Sequence, residues 1–194
     1  EKTLWMPVAM LAVMKAGGAS VAIDVSQPEQ HQSSIVQTVK PTVVLASALN
    51  ESLVARISGC PVIVASESLN DTSISLTLPT VASSSLLYLI FTSGTTGKPK
   101  GVMVTHSNFS SAVVHQARFY GYTSTSRVFD FSSYAFDAGW LNFIIAMVAG
   151  ACLCVPSDYD RQNDIAGSVA RFQATHIDLT ASVAKSLPID TIRS

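Results

Sequence analysis

The chain has 194 residues, of which 48% are hydrophobic and only 13% charged, and 12 basic against 13 acidic side chains leave a net charge of −1. So few charges exclude a disordered chain, and their balance removes the electrostatic case for a nucleic acid or membrane partner. The mean hydropathy of +0.36 is high for a soluble domain. It is expected of a sheet buried on both faces, or of a piece of a larger domain.

Helical and extended patterns alternate from the start of the chain. Apolar residues at helical spacing over residues 4–14, followed by two glycines, predict a first helix. Further helices are predicted at 27–39, opened by Ser26 and Pro28, and at 51–57. The stretch 66–85, rich in Ser and Thr, is expected to be a loop with an edge strand at 74–78. Strands are predicted at 19–23, 43–46, 61–65 and 86–91.

The same alternation continues through the second half of the chain. Helices are predicted at 107–119, 136–148 and 160–172, and Gly150 is expected to end the second of these. Strands are predicted at 102–105, 127–131, 151–155 and 176–179. The pattern indicates an α/β fold with a mainly parallel sheet and helices on both faces. The longest apolar runs have the length of strands, so no membrane span is expected.

The cysteines and histidines offer little chemistry. Three cysteines, an odd count, favour a reducing compartment, and no signal-peptide pattern is visible at the start of the chain. We therefore expect a cytoplasmic location. Cys152 and Cys154 are better interpreted as packing residues than as metal ligands, because no histidine lies near them. His31, His115 and His176 lack metal-ligand spacing, and no metal site is predicted.

One segment carries a chemical signal. An apolar strand at 87–91 leads into a stretch of hydroxyls, glycines and lysines at 92–101. Glycines let backbone N–H groups point at an anion, and Lys98 and Lys100 add positive charge, so the segment predicts phosphate binding. It is not a Walker loop, because only two residues separate Gly94 from Gly97 and a strand follows. From composition alone, a flexible polar turn is the alternative.

The order of these residues narrows the interpretation. TSGTTGKPKGV at 92–102 resembles the phosphate-binding signature of the adenylate-forming superfamily: acyl-CoA synthetases, luciferases and the adenylation domains of nonribosomal peptide synthetases. AVMKAGGASVAID at 12–24 resembles the LKAGGAYVPID core of those adenylation domains, with Ser20 and Ala22 replacing its aromatic residue and proline. The resemblance implies that the ATP phosphates are bound by Thr92, Ser93, Gly94, Thr95, Thr96, Gly97 and Lys100.

A third resemblance concerns the substrate amine. FSSYAFDA at 131–138 is similar to the family's FDAS segment, with Gly139 in place of the serine. This implies that Asp137 holds the α-amino group of the substrate, since a charge pair offsets the desolvation of both partners. From the residues alone, a helix cap is the alternative role. Ala138 and Leu141 fall where the family lines its side-chain pocket, and both are apolar, which suggests an apolar or aromatic substrate.

Together these resemblances imply an enzyme that uses ATP and Mg²⁺ to activate an amino acid. It would form an aminoacyl-adenylate and pyrophosphate, and then load the aminoacyl group onto the phosphopantetheine of a partner peptidyl carrier domain. The family's catalytic lysine belongs to a C-terminal lid that has no counterpart in residues 1–194, so no catalytic residue is expected within this chain. We expect residues 1–194 to be a partial N-terminal core subdomain, inactive alone and partnered by the rest of the domain.

Two alternatives remain open. The parent enzyme could be an acyl-CoA or aryl-acid ligase of the same superfamily, but a substrate without an amine gives no reason for a carboxylate at Asp137. The chain could instead be a non-catalytic binding or scaffold fragment. Nucleic acid and membrane are not expected as partners.

Overall fold

The computed structural model describes residues 2–71, 77–92 and 99–188. Its internal contacts divide the chain into two compact units. Unit 1 comprises residues 3–106, and unit 2 comprises Lys2 with the residues from Ser107 onward. The predicted α/β architecture is confirmed, because helices alternate with strands in both units. Among the described residues every strand pair but one is parallel.

Unit 1 contains three α-helices, five strands and two short 3₁₀ helices in its described part. The helices are α1 (Trp5–Lys15), α2 (Glu29–Val39) and α3 (Glu51–Ser58), and the 3₁₀ turns are Ala48–Asn50 and Glu67–Asp71. The strands are β1 (Ser20–Val21), β2 (Val44–Ala46), β3 (Val62–Val64), β4 (Leu86–Thr92) and β5 (Lys100–Thr105).

The strands of unit 1 form two small sheets rather than the single sheet expected. In one sheet β4 is central, parallel to β1 and antiparallel to β5. In the other, β2 and β3 pair in parallel, with α3 connecting them. Only seven residues separate β4 from β5 in the sequence, and so short a connection suits an antiparallel pair.

Two expectations for unit 1 need comment. Ser26 does not cap α2, because its hydroxyl donates to the Asp24 carboxylate at 2.7 Å, and the helix begins after Pro28 without a side-chain cap. The edge strand expected at 74–78 lies largely outside the described residues, and the described residues 77–85 contain no strand.

Unit 2 is built around one parallel sheet in the order β7-β6-β8. Its central strand β6 is fully buried at Phe129, and α5 packs against both β6 and β7. The strands are β6 (Arg127–Phe129), β7 (Cys152–Cys154) and β8 (His176–Ile177). The helices are α4 (His106–Phe119), which begins at the last residue of unit 1, α5 (Asp137–Ala149), α6 (Asp158–Asn163), α7 (Ile165–Phe172) and α8 (Ala181–Ser186).

The ends of these helices follow from local chemistry. Gly150 ends α5 as predicted, in the left-handed conformation that glycine adopts without a steric penalty. The single helix expected at 160–172 is wrong: the backbone leaves the helical region at Asp164, whose carboxylate accepts the Gly167 N–H at 3.0 Å and caps α7. Helix α8, capped by Thr180, was not anticipated.

Among the described residues, the helices fall short of the length and apolar character that a bilayer span requires.

Candidate functional site

The predicted phosphate-binding segment begins and ends on paired strands. Cross-strand register sets Thr92 opposite Lys100 and Phe91 opposite Gly101, so the segment connects β4 and β5 as a hairpin. Directly opposite residues on an antiparallel pair project to the same face. The base of the hairpin therefore presents one hydroxyl and one ammonium side by side.

Only part of this predicted site lies in the described residues. Thr92 and Lys100 are both exposed, and the Thr92 hydroxyl makes a long 3.5 Å hydrogen bond to the Lys100 carbonyl. The other predicted residues lie outside the described residues: Ser93, Gly94, Thr95, Thr96 and Gly97. The phosphate-binding role of all seven stays a prediction.

The predicted substrate-binding residues lie together at the start of α5. Asp137 is the first residue of the helix, and the extended backbone of Phe136 precedes it. The Asp137 carboxylate is exposed and accepts the N–H of Ala138 at 2.9 Å. Ala138 and Leu141 are both half-buried and stand three residues apart, on neighbouring positions of the helix surface.

The hydrogen bond from Ala138 is compatible with both roles weighed for Asp137. It satisfies one backbone donor of the first helical turn, as a cap does. It also leaves most of the lone-pair capacity of the carboxylate unused. Among the described residues no ion pair includes Asp137. The carboxylate can therefore accept an external ammonium without giving up a protein cation.

The connection from β6 to α5, residues 130–136, leads the chain to Asp137. A tight turn forms within it, because the Phe136 N–H donates to the Ser133 carbonyl at 3.0 Å. This turn lies directly against the helix: a Cβ at Gly139 would be 2.7 Å from the Ser133 carbonyl oxygen. Gly139, the departure from the family's FDAS pattern, is thus the residue that lets backbone approach backbone here.

A buried polar cluster at the start of this connection escaped the sequence analysis. The Lys2 ammonium lies 2.7 Å from the Asp130 carboxylate, and both side chains are almost completely buried. The Tyr134 hydroxyl donates to the same carboxylate oxygen. The Lys2 ammonium also lies 4.4 Å above the Tyr134 ring, a cation–π contact. We call Lys2, Asp130 and Tyr134 the Lys2 cluster.

Burial dominates the ionisation of this cluster. It lowers the pKa of Lys2 from 10.5 to about 8, against the opposing attraction of Asp130. It raises the pKa of Asp130, which Lys2 and Tyr134 oppose, and burial also raises the pKa of the Tyr134 hydroxyl. The only hint in the sequence is an acidic residue inside the apolar run at 128–131. Nothing local to that run indicates that its partner is Lys2.

The described residues contain no group of three or more side chains suited to hold a metal ion. Cys152 is exposed, Cys154 is buried, and both are free thiols. His176 stacks on Tyr122 with ring centroids 4.3 Å apart.

Comparison with known proteins identifies the family. The model of the AMP-binding enzymes matches residues 1–191. The chain belongs to this family. The match covers the hairpin, the start of α5 and the connection that precedes it, so all of the site residues described above lie inside the family's domain.

Curated relatives narrow the branch. The chain is 50% identical over 191 residues to the nonribosomal peptide synthetase ungA of Aspergillus violaceofuscus, covering 95% of this chain and 2% of the relative. It is 46% identical over 198 residues to the synthetase SIDD of Beauveria bassiana, covering 100% and 11%. The resemblance to peptide-synthetase adenylation domains is therefore confirmed. The chain spans only a small part of the length of these relatives.

Solved structures support the fold. The nonribosomal peptide synthetase FmoA3, bound to α-methyl-L-serine-AMP, matches with a TM-score of 0.81 at 24% identity, covering 90% of this chain and 20% of that one. ATP-bound MatB from Rhodopseudomonas palustris matches with a TM-score of 0.75 at 21% identity, covering 91% and 37%. The α/β fold predicted from the alternation of elements is thus that of adenylate-forming enzymes.

Proposed function

We propose that this chain is the partial N-terminal core of an adenylation domain that activates an amino acid with ATP. In the first step the substrate carboxylate attacks the α-phosphate of ATP, and the bond to the β-phosphate breaks to release pyrophosphate. In the second step a phosphopantetheine thiol on a peptidyl carrier domain takes the aminoacyl group and AMP leaves. Catalysis of this kind depends on positioning and on charge stabilisation.

The hairpin of β4 and β5 would hold the β- and γ-phosphates, and afterwards pyrophosphate. Lys100 would supply positive charge, Thr92 a hydroxyl donor, and residues 93–97 backbone N–H groups and further hydroxyls. Mg²⁺ would be held mainly by phosphate oxygens, as this ion commonly is at nucleotide sites. When bound, the ion would neutralise charge that develops on the phosphates.

The observation that carries the amino-acid assignment is the Asp137 carboxylate. It is exposed at the first residue of α5 and has no cationic partner among the described residues. An α-ammonium would complete a charge-assisted hydrogen bond there. Ala138 and Leu141 would meet the substrate side chain, and their apolar character favours an apolar or aromatic amino acid.

This proposal implies partners and a location. The peptidyl carrier domain and the remainder of the adenylation domain would be the protein partners, and the latter would supply the catalytic lysine. We place the reaction in the cytoplasm, because the free thiols of Cys60, Cys152 and Cys154 suit a reducing compartment.

The test is amino-acid-dependent ATP–pyrophosphate exchange over a panel of amino acids. It is run on the 194-residue chain and on the same chain joined to the C-terminal remainder of an adenylation domain. We expect exchange only in the joined protein, with one amino acid or a small apolar group preferred. Exchange by the chain alone would contradict the expectation that the lid is required. Absence of exchange in the joined protein with every amino acid would reject the function.

The same assay tests the hairpin. Lys100→Ala and Thr95→Ala in the joined protein should each raise the KM for ATP by about 10- to 100-fold, because each removes a donor from the phosphates. Arg56→Gln is the control for loss of a cation in unit 1, since its contacts with Glu29 and the Ser52 carbonyl are both exposed. Unchanged KM in both hairpin variants would remove the phosphate site from the hypothesis.

A further inference from the structure

The Lys2 cluster is expensive to bury, which raises the question of what it does. Two charged groups have left water, and such a pair is no more stabilising than well-packed apolar residues of the same size. Lys2 is 7% exposed and Asp130 is completely buried. Neither residue belongs to the motifs that the proposed function uses, yet Asp130 begins the connection that ends at Asp137.

All the polar contacts of the Asp130 carboxylate converge on one oxygen. Oδ2 accepts from the Lys2 ammonium and from the Tyr134 hydroxyl, whereas Oδ1 is buried without a partner among the described residues. The bond to Tyr134 closes the chain on itself across four residues. The Lys2 ammonium also donates to the Asp130 backbone carbonyl at 2.7 Å. The first half of the connection is therefore held by side chain and backbone together.

The backbone of Lys2 is anchored as well. Its N–H donates to the Asp158 carboxylate at 3.1 Å, and Arg161 pairs with the same carboxylate at 3.1 Å. Both residues belong to α6 of the same unit. The ammonium that holds Asp130 is thus itself fixed to a helix.

The second half of the connection is held by hydrogen bonds within its turn and by close packing against α5. The Ala135 N–H donates to the Ser133 hydroxyl at 3.3 Å, and the Phe136 N–H to the Ser133 carbonyl. Gly139 lies against the carbonyls of Ser132 and Ser133 with no room for a Cβ. These contacts tie the residues just before Asp137 to the start of α5, and the Lys2 cluster ties residues 130 and 134.

We propose that the Lys2 cluster is a positioning device that fixes the β6–α5 connection and thereby the Asp137 carboxylate. Lys2, Asp130 and Tyr134 are positioning residues and do not touch the substrate. The expected effect on substrate binding rests on the proposed function, in which Asp137 binds the substrate amine. Loosening the cluster then weakens binding of the amino acid and leaves binding of ATP unchanged.

Tyr134→Phe is the sharpest variant, since it removes one hydroxyl and keeps the ring under the Lys2 ammonium. The matched control is Tyr159→Phe, because Tyr159 lies in the same unit and is 73% exposed. In exchange assays on the joined protein we expect Tyr134→Phe to raise the KM for the amino acid about 10-fold, since a displaced binding group is costly. The KM for ATP should change less than about twofold.

Amide hydrogen exchange supplies a readout independent of activity. In Tyr134→Phe the amides of Ala135, Phe136 and Gly139 should exchange about 10-fold faster, while those of β6 are unchanged. Tyr159→Phe should leave all of them unchanged. Amides of the connection that exchange at the wild-type rate in Tyr134→Phe would overturn the proposal, and so would an unchanged KM for the amino acid.

A triple apolar variant separates positioning from stability. Lys2→Met, Asp130→Leu and Tyr134→Phe together remove both buried charges and the buried hydroxyl. The backbone carbonyl at residue 130 loses its ammonium donor, which costs less than an unpaired buried charge, so the protein should regain most of its stability. If the cluster only stabilises the fold, this variant has the wild-type KM for the amino acid, and the proposal is overturned. If the cluster positions Asp137, the KM stays raised about 10-fold in a stable protein.

Failure of the proposed function would look different. A wild-type joined protein without exchange for any amino acid rejects the adenylation assignment and, with it, the consequence for amine binding. Hydrogen exchange in the connection would still decide whether the Lys2 cluster holds it.

Discussion

The β4–β5 hairpin and the β6–α5 connection obtain their chemistry in different ways. Every predicted phosphate-binding group of the hairpin comes from one contiguous run of sequence, and the two that the structure describes, Thr92 and Lys100, are exposed cross-strand neighbours. The connection depends on Lys2, which is 128 residues from Asp130 along the chain. The polar side chains of the Lys2 cluster are buried. In our proposals the hairpin offers groups to a ligand, whereas the connection uses polar groups to hold another residue in place.

This comparison indicates which contacts can be removed with little loss of stability. Replacing an exposed charged group removes its contact with the ligand but changes the free energy of unfolding little. A buried ion pair that loses one partner leaves an uncompensated charge in the interior. Variants of the hairpin should therefore affect kinetics alone, and variants of the connection should affect both kinetics and stability.

The largest effect on the kinetics is expected at Asp137, to which the connection leads. Asp137→Asn keeps the shape of the side chain and removes its charge, so kcat/KM for the amino acid should fall roughly 100-fold, equivalent to about 2.7 kcal/mol. Exchange kinetics in the joined protein measure it. Glu51→Gln is the matched control, because Glu51 is also an exposed first residue of a helix. Equal effects of the two substitutions would contradict a specific role for Asp137.

Stability of the Lys2 cluster gives a second test of the difference between the regions. Lys2→Met leaves the Asp130 carboxylate buried without its cation, so the free energy of unfolding should drop by about 3–5 kcal/mol. Urea unfolding measures the change. Lys100→Ala, which removes an exposed lysine of the hairpin, should cost less than about 1 kcal/mol. Similar losses of stability in both variants would contradict the proposed difference between Lys2, which holds the connection, and Lys100, which binds the ligand.

A smaller effect is expected from the close approach at Gly139. Gly139→Ala places a Cβ 2.7 Å from the Ser133 carbonyl oxygen, and the resulting backbone shift should cost about 1–3 kcal/mol. Gly101→Ala is the comparison in the hairpin, since its Cβ would meet the Phe91 ring at 3.4 Å, an ordinary contact. Thermal unfolding should rank Gly139→Ala well below Gly101→Ala. The reverse order would mean that the connection has room to relax.

The smallest expected effect concerns the reactivity of the two thiols of β7 and needs no substitution. Burial and the neighbouring Cys152 raise the pKa of Cys154 to about 11. At pH 8 the thiolate fraction of Cys154 is then about one in a thousand, and the thiolate is the form that reacts. Iodoacetamide should modify exposed Cys152 and spare Cys154 in the native protein, as mass spectrometry would report. Equal modification of both thiols would show that the reagent reaches Cys154 in the native protein and would contradict its burial.

Much of the fold could be predicted from the sequence, because it is encoded locally. Apolar periodicity located the helices α1, α4 and α5, and Gly150 marked the end of α5. The helix at 160–172 failed because Asp164 can cap a new helix as easily as it can continue an old one. The division of the described strands into three small sheets also escaped prediction, since strand pairing depends on contacts distant along the chain.

The candidate site divides in the same way. The hairpin and Asp137 belong to short contiguous motifs that resemble those of the family, so they could be located from the sequence alone. The Lys2 cluster joins residues 128 positions apart in the sequence, and a buried lysine looks the same in a sequence as an exposed one. Only the fold shows that Lys2 and Asp130 are partners.

The most direct test of the central claim compares two substrates that differ by one group. ATP–pyrophosphate exchange in the joined protein is measured with the preferred amino acid and with the same carboxylic acid lacking its α-amino group. We expect kcat/KM to favour the amino acid by at least about 100-fold, and Asp137→Asn to remove most of that preference. Equal use of the two acids by the wild-type protein would contradict the account and point to an acyl- or aryl-acid ligase.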